Sequence, residues 1–181
     1  LPLEDEEVSV LMARELKKRG VDVRTGTTIQ EAQVREGIVT AQLKDGNTVE
    51  AEMLLVSIGR GFQSRDIGAE AAGVVLGKRG EILVDDRMET NVPGVYAIGD
   101  VVGKAMLAHV ASAQGKVAVE NIMGHPTKTR YEVIPAGIFT LPEVGRVGLT
   151  ERQAREQAQA AGQDPEQAVK VGRFRYAALG K

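Results

Sequence analysis

The chain contains no cysteine and no tryptophan, and aromatic residues make up 3% of its 181 residues. Without cysteine the sequence cannot form a disulfide, a thiolate metal site or a redox-active thiol. Its longest apolar runs are strand-sized, short of the roughly 18 residues that predict a membrane-spanning helix. The formal net charge is −2 and no basic run dominates any segment, which argues against nucleic acid or an acidic membrane surface as partners. The composition is typical of a globular protein.

Hydrophobic periodicity predicts alternating helices and strands. A helix is expected over residues 4–19, because acidic residues begin it, basic residues end it and Gly20 follows. After it the period changes to two and the hairpin dipeptide Asp45-Gly46 occurs. The strands expected in this part of the chain are 21–23, 28–35, 38–43, 48–50 and 53–60.

The second half of the chain continues this alternation. A helix is expected over 107–123, and another from 151 to 160 with Thr150 as its N-cap. Residues 163–167 are interpreted as a surface loop. The strands expected here are 82–84, 95–98, 138–140, 144–147 and 169–176.

A carboxylate, Asp100, stands where the apolar strand 95–98 ends and only Gly99 intervenes. A buried charge without partners is costly, so Asp100 must have a partner or lie in solvent. It could cap the turn that begins with Val101 and Val102. Alternatively it accepts hydrogen bonds from sugar hydroxyls of a ligand, each worth roughly 1.5–3 kcal/mol. The local pattern leaves both interpretations open.

The helix that follows begins at Met-Leu-Ala-His, residues 106–109, and its start would present free backbone N–H groups to a ligand. Gly115 and the small residues before it form a slim helix face. That face fits either a flat ring system or close packing on a sheet, and packing is the preferred interpretation for the alanines. For His109 a site role and simple solvation both remain open.

A second glycine follows an apolar strand at Gly59-Arg60. Glycine lets the backbone approach a ligand closely, and an arginine binds phosphate through two hydrogen bonds. Many buried strands end in glycine, so this signal is weak alone. No carboxylate pair, metal-ligand cluster or nucleophile–base pair stands out, and no catalytic or metal-binding residue is predicted.

Several segments resemble the pyridine nucleotide-disulfide oxidoreductases. Residues 90–100, TNVPGVYAIGD, closely resemble the second flavin-binding motif of that family. Residues 106–109 are similar to the dihydrolipoamide dehydrogenase segment whose helix start lies under the isoalloxazine ring. Residues 139–151 resemble the opening of its dimerisation domain, and residues 55–60 the last strand of its NAD domain. The resemblance covers nearly the whole chain in the family's order.

The resemblance implies an α/β fold, with parts of two FAD/NAD-binding three-layer domains followed by the start of an α+β dimerisation domain. The expected limits are 1–61 for the end of the NAD-binding domain and 62–132 for the end of the FAD-binding domain. Residues 133–181 would begin the dimerisation domain.

The resemblance also implies two cofactors, FAD and NAD. Asp100 would hold a ribityl hydroxyl, and the Ala108 and His109 amides would face the pyrimidine edge of the flavin. Gly59 would lie against NAD. Arg60 is carried over as well, although the family continues Gly-Arg-x-Pro and this chain lacks that proline. The predicted cofactor-binding residues are Asp100, Met106, Leu107, Ala108, His109, Gly99, Gly59 and Arg60.

The implied enzyme is a cytoplasmic homodimer that oxidises dihydrolipoamide, carried on the lipoyl domain of a 2-oxo acid dehydrogenase complex. Its redox cysteines and nucleotide fingerprints are expected before residue 1, and its His–Glu pair beyond residue 181. The chain is therefore expected to be a fragment and inactive alone. Two alternatives remain: a sister reductase of the mercuric or glutathione type, and a non-catalytic remnant that only binds or dimerises.

Overall fold

The computed structural model describes residues 1–175, which fall into two compact units. One unit is Leu16–Gly61; the other combines Leu1–Glu15 with the chain from Phe62 onward. Helix α1 spans Glu6–Lys18, with acidic residues in its first turn and basic residues in its last. These charges complement the helix dipole, and the helix predicted over 4–19 is confirmed with slightly narrower bounds.

The Leu16–Gly61 unit is built on an antiparallel sheet of three strands in the order β1-β2-β3. Strand β1 is Ile29–Arg35, β2 is Ile38–Leu43 and β3 is Thr48–Ala51. Ala41 and Leu43 of the central strand are buried. The three predicted strands of this meander are confirmed within one residue at each end.

The turn between β1 and β2 consists of Glu36 and Gly37, since Arg35 pairs with Ile38. Both turn residues have positive φ, 50° and 80° respectively. A two-residue hairpin of type I′ requires this pair of left-handed conformations, because their twist matches that of the strands. Glycine adopts the conformation freely, whereas glutamate is strained in it.

Two further strands predicted in this unit, 21–23 and 53–60, do not form. Met53, Leu55 and Ile58 are instead 85%, 88% and 95% exposed. An apolar run of this kind is typical of a strand covered on both faces and paired with parallel neighbours. Residues 16–61 supply no such neighbours, because β1–β3 pair only with one another. The prediction of strands at 21–23 and 53–60 was therefore wrong for this chain.

In the other unit, Val74, Ile82, Ala97 and Val102 form a small buried core. The strands predicted at 82–84 and 95–98 are not formed, and each is reduced to one bridge, Leu76–Ile82 and Glu89–Tyr96. Other backbone groups of these segments bond to separate parts of the chain: the Ile82 N–H donates to the Val101 carbonyl at 2.9 Å and the Leu83 N–H to the Val75 carbonyl at 3.3 Å. Because successive residues bond to different neighbours, no two segments pair over a continuous ladder.

Helix α2, Ala108–Ile122, confirms the helix predicted over 107–123. Val110, Gln114, Val117 and Ala118 are buried, which is the 3.6-residue spacing of a helix with one packed face. Met88 packs against this face and is fully buried.

The C-terminal part contains a two-stranded antiparallel sheet, β4 (Ala136–Ile138) and β5 (Val144–Arg146), followed by two helices. Strand β4 lies two residues earlier than the predicted 138–140, and β5 confirms 144–147 except at its last residue. Helix α3, Glu151–Ala160, is confirmed with its Thr150 cap.

The surface loop predicted at 163–167 was wrong in part. Pro165–Ala168 form a one-turn helix, α4, because the Asp164 carboxylate accepts the Glu166 N–H at 3.0 Å and caps it. The strand predicted at 169–176 is absent from residues 169–175, which pair with no other strand. Its last residue, Tyr176, lies outside the described residues.

Acidic residues before and within the first turn of α1 contact this C-terminal part. Glu4 pairs with Arg146 at 2.9 Å, and the Asp5 carboxylate accepts the Glu151 N–H at 2.8 Å. Glu7 forms an ion pair with Arg173, whose hydrogen bond lowers the pKa of Glu7. Within residues 1–175, no helix combines the length and apolar character needed to cross a membrane.

The cap of α3 generates a first prediction. The Thr150 hydroxyl accepts the Gln153 N–H at 3.2 Å, and the Gln153 side chain accepts the Thr150 N–H at 3.0 Å. We expect Thr150→Ala to lower the free energy of unfolding by about 1 kcal/mol, measured by urea denaturation followed by circular dichroism. Thr150→Ser keeps the hydroxyl and should stay near wild type. Equal losses in both variants would contradict the role of the cap.

The β1–β2 turn generates a second prediction. Glu36→Asn should stabilise the hairpin by about 0.5 kcal/mol, because asparagine tolerates positive φ better than glutamate. Amide hydrogen exchange of the β1 and β2 residues measures this locally. Glu36→Ala removes the same carboxylate without easing the backbone, and it should not slow exchange. If alanine protects the hairpin as well as asparagine does, charge rather than conformation is responsible.

Candidate functional site

The site is built around a sharp turn at the end of the apolar segment 95–98. Ile98 is extended, Gly99 has a φ of 78°, and Gly99–Val102 form one turn of 3₁₀ helix. The turn closes when the Gly103 N–H donates to the Asp100 carbonyl at 3.0 Å. A Cβ on Gly99 would come within 3.5 Å of the Ala111 Cβ. Since this is an ordinary van der Waals distance, it is the left-handed conformation that favours glycine at position 99.

Asp100 is exposed, and its carboxylate forms no hydrogen bond or ion pair with residues 1–175. The cap that the sequence left open is therefore absent, because backbone groups alone close the turn. The carboxylate has all of its acceptor capacity free. Its predicted bond to a cofactor is not tested by this geometry and stays a prediction.

The first turn of α2 carries free backbone donors. Its N-cap, Leu107, provides no side-chain acceptor, and both the Val110 and Ala111 N–H groups donate to the Leu107 carbonyl at 3.0 Å. Among the described residues, the N–H groups of Ala108 and His109 have no acceptor. The helix dipole adds partial positive charge at these amides.

The His109 side chain is exposed, yet it is tied to the following segment. Its Nε2 lies 2.8 Å from the carbonyl oxygen of Pro135. A carbonyl only accepts, so this bond requires the proton on Nε2. His109 therefore contributes a backbone donor at the helix start and a side-chain link to the residues before β4, rather than standing free in solvent.

Gln114 belongs to this site, and our sequence reasoning missed it. It is fully buried, its Oε1 accepts the Gly99 N–H at 2.6 Å, and its Nε2 donates to the Tyr131 hydroxyl at 2.8 Å. Burial raises the pKa of Tyr131, so the phenol stays protonated. Its position in the sequence could have indicated that it is buried. Gln114 falls four residues after Val110 and three before Val117, on the buried face of α2.

The remaining predicted residues fall into two groups. Met106 and Leu107 are half-buried and lead into α2 in the same unit as Gly99 and Asp100. Gly59 and Arg60 belong to the Leu16–Gly61 unit, where both are exposed and Gly59 has a φ of 125°. The predicted NAD residues and the predicted FAD residues thus belong to different units.

The slim face of α2 serves packing. A Cβ on Gly115 would lie 3.4 Å from the Cδ1 of Ile98, so the helix lies directly against the apolar segment that ends at the turn. This contact supports the packing interpretation of the small residues. Within residues 1–175, no three His, Asp or Glu side chains are grouped so that they could hold a metal ion.

Comparison with known proteins gives matches along the whole chain. Residues 1–115 match the family model described as pyridine nucleotide-disulphide oxidoreductase. The dihydrolipoyl dehydrogenase of Chlamydia pneumoniae is 39% identical over 181 residues, which are 100% of this chain and 37% of that protein. The chain therefore spans well under half the length of this curated relative.

Solved structures give a concordant result. LpdA of Mycobacterium tuberculosis matches with a TM-score of 0.79 and 26% identity, covering 91% of this chain and 40% of that one. The Cu(II) complex of the HOCl-induced flavoprotein disulfide reductase RclA of Escherichia coli matches with a TM-score of 0.77 and 27% identity, covering 87% and 36%.

These matches confirm the mixed α/β fold class expected from the sequence, with the small sheets described above. They also confirm the resemblance read from the motifs between residues 55 and 151, because the family model and the curated relative align with these segments. The chain belongs to the pyridine nucleotide-disulphide oxidoreductase family.

Proposed function

We propose that this chain is part of a dihydrolipoyl dehydrogenase, which oxidises dihydrolipoamide with FAD and NAD. The observation that carries the proposal is that the turn Gly99–Val102 packs near the start of α2. The turn carries a free carboxylate, and the helix start carries two free backbone amides. These groups are Asp100, Ala108 and His109. Identity of 39% over the whole chain with the Chlamydia pneumoniae dihydrolipoyl dehydrogenase supports the choice of substrate.

The chemistry of these groups fits a flavin dinucleotide. A carboxylate accepts hydrogen bonds from the hydroxyls of a sugar chain, and amide N–H groups donate to the carbonyl and nitrogen acceptors of a ring edge. In this proposal Asp100 binds the ribityl chain, while Ala108 and His109 bind the pyrimidine edge. FAD, when bound, supplies the two-electron redox chemistry. The positive end of α2 favours negative charge at that edge.

The NAD site is proposed to include Gly59 and Arg60. Both are exposed, and Arg60 has no ion pair among residues 1–175. A guanidinium without a carboxylate partner can bind a phosphate through two hydrogen bonds. The proposed domain limits remain 1–61, 62–132 and 133–181.

The proposed assembly is a homodimer. The residues around β4 and β5 expose large apolar side chains, with Phe139 90%, Leu141 65% and Val147 61% exposed. An apolar surface of this kind is typical of an interface between subunits. We further propose a cytoplasmic location, and dihydrolipoamide presented by the lipoyl domain of a 2-oxo acid dehydrogenase complex.

A second candidate is another disulfide reductase of the same family. The fold is compatible with this candidate, because the flavoprotein disulfide reductase RclA matches with a TM-score of 0.77. The test uses the full-length protein that contains this chain, purified with its flavin. We expect it to reduce NAD⁺ with dihydrolipoamide, followed at 340 nm. Turnover of glutathione disulfide without turnover of dihydrolipoamide would establish the second candidate instead.

The flavin contact of Asp100 can be tested separately from the fold. In the full-length protein, Asp100→Ala should raise the FAD dissociation constant about tenfold or more, because a charge-assisted hydrogen bond is lost. The melting temperature of the FAD-free protein should stay near wild type, because the exposed side chain makes no hydrogen bond or ion pair with residues 1–175.

The matched control for this variant is Glu120→Ala, which removes an equally exposed carboxylate from the other end of α2. It should leave the FAD dissociation constant unchanged. Similar weakening in both variants would mean that overall charge, rather than a bond from Asp100, sets the affinity.

A further inference from the structure

Gln114 connects three separate segments of the chain through one side chain. It lies on α2 and is 0% exposed. Its oxygen accepts from the Gly99 N–H at 2.6 Å, and its nitrogen donates to the Tyr131 hydroxyl at 2.8 Å. Both ends of the amide are thus paired, which is what a fully buried amide requires.

Gly99 and Tyr131 together determine which way the Gln114 amide faces, because the Gly99 N–H can only donate and so requires the Oε1. The Tyr131 hydroxyl donates to the Met88 Sδ at 4.0 Å, so it presents its oxygen to Gln114 as an acceptor. Only the Nε2 of Gln114 can donate to that oxygen. The Oε1 is therefore left for Gly99, and a reversed amide would set two N–H donors against each other.

Gly99 depends on this acceptor. Among residues 1–175, its N–H has no hydrogen-bond partner other than Gln114. Its positive φ, 78°, sets the direction of the chain immediately before Asp100. Loss of the Gln114 acceptor would leave a part-buried donor unpaired, and rotation of this peptide is the simplest way for the donor to reach water. The same rotation moves Asp100.

We propose that Gln114, oriented by Tyr131, is a positioning residue that holds the Gly99–Asp100 turn in the conformation that binds the flavin. The inference rests on the proposed flavin site. The inference adds Gln114 to that site as a residue that is buried beneath the turn and acts on the cofactor only through Gly99.

The test measures FAD affinity by reconstituting the full-length protein after flavin removal, together with the visible circular dichroism of the bound flavin. Gln114→Leu keeps the volume and removes both hydrogen bonds, and it should raise the FAD dissociation constant about tenfold. Gln114→Glu keeps an acceptor for Gly99 and can also accept from the Tyr131 hydroxyl. It should restore affinity to within about threefold of wild type.

The matched control is Val117→Ala, a cavity-forming change at another buried position of α2 that makes no hydrogen bond to the turn. It should lower the melting temperature without changing the FAD dissociation constant or the flavin spectrum. If Val117→Ala and Gln114→Leu weaken FAD binding equally for equal losses of melting temperature, the role is only structural and the proposal is overturned. Failure of Gln114→Glu to restore binding would also overturn it.

Tyr131→Phe supplies a second variant should Gln114→Leu not fold. It leaves the Gly99 bond possible but releases the Gln114 amide to rotate, so the FAD dissociation constant should rise about threefold. An unchanged constant would overturn the proposal. A wild-type protein that binds no FAD would refute the proposed function itself. FAD binding by wild type with unchanged affinity in Gln114→Leu would refute only the role of Gln114.

Discussion

A backbone donor that is partly withdrawn from water needs an acceptor, and at Gly99 that acceptor is the side chain of Gln114. The bond joins the turn after an apolar segment to the helix that follows it. Because Tyr131 holds the other end of Gln114, the turn, α2 and the segment before β4 share one hydrogen-bonded centre. The arrangement of the exposed groups above this centre follows from it.

The starts of helices α2 and α3 differ in how their polar groups are satisfied. Thr150 and Gln153 satisfy each other at the start of α3. At the start of α2, by contrast, no side chain caps the helix and its first two amides stay free. Asp100 is free as well. A helix start with free donors beside a free carboxylate has no evident use in holding the fold, whereas both suit a ligand that carries hydroxyls and a polar ring edge.

The contrast between β1–β3 and the run 53–60 has a physical origin. Hairpin strands carry their own partners nearby, so the pattern around Asp45-Gly46 and Glu36-Gly37 was sufficient to predict β1, β2 and β3. The run 53–60 is apolar along most of its length, and such a pattern indicates a strand only if parallel neighbours exist. Residues 16–61 provide none, and Met53 is left exposed. Periodicity indicates which face of a segment is apolar, but it does not indicate whether another strand is present to pair with it.

By itself the sequence determined helices α1, α2 and α3, the antiparallel strands β1–β3, the α3 cap and the family, because each of these depends on neighbouring residues or on a motif of fixed spacing. It also singled out Asp100, Ala108 and His109. Only the tertiary structure decided that Asp100 caps nothing, that His109 reaches Pro135, and that Gln114 supports the turn. Gln114 and Tyr131 are separated by 17 positions, and no local pattern pairs a glutamine with a particular tyrosine. Their contact exists because α2 packs against both the turn and the segment that follows the helix.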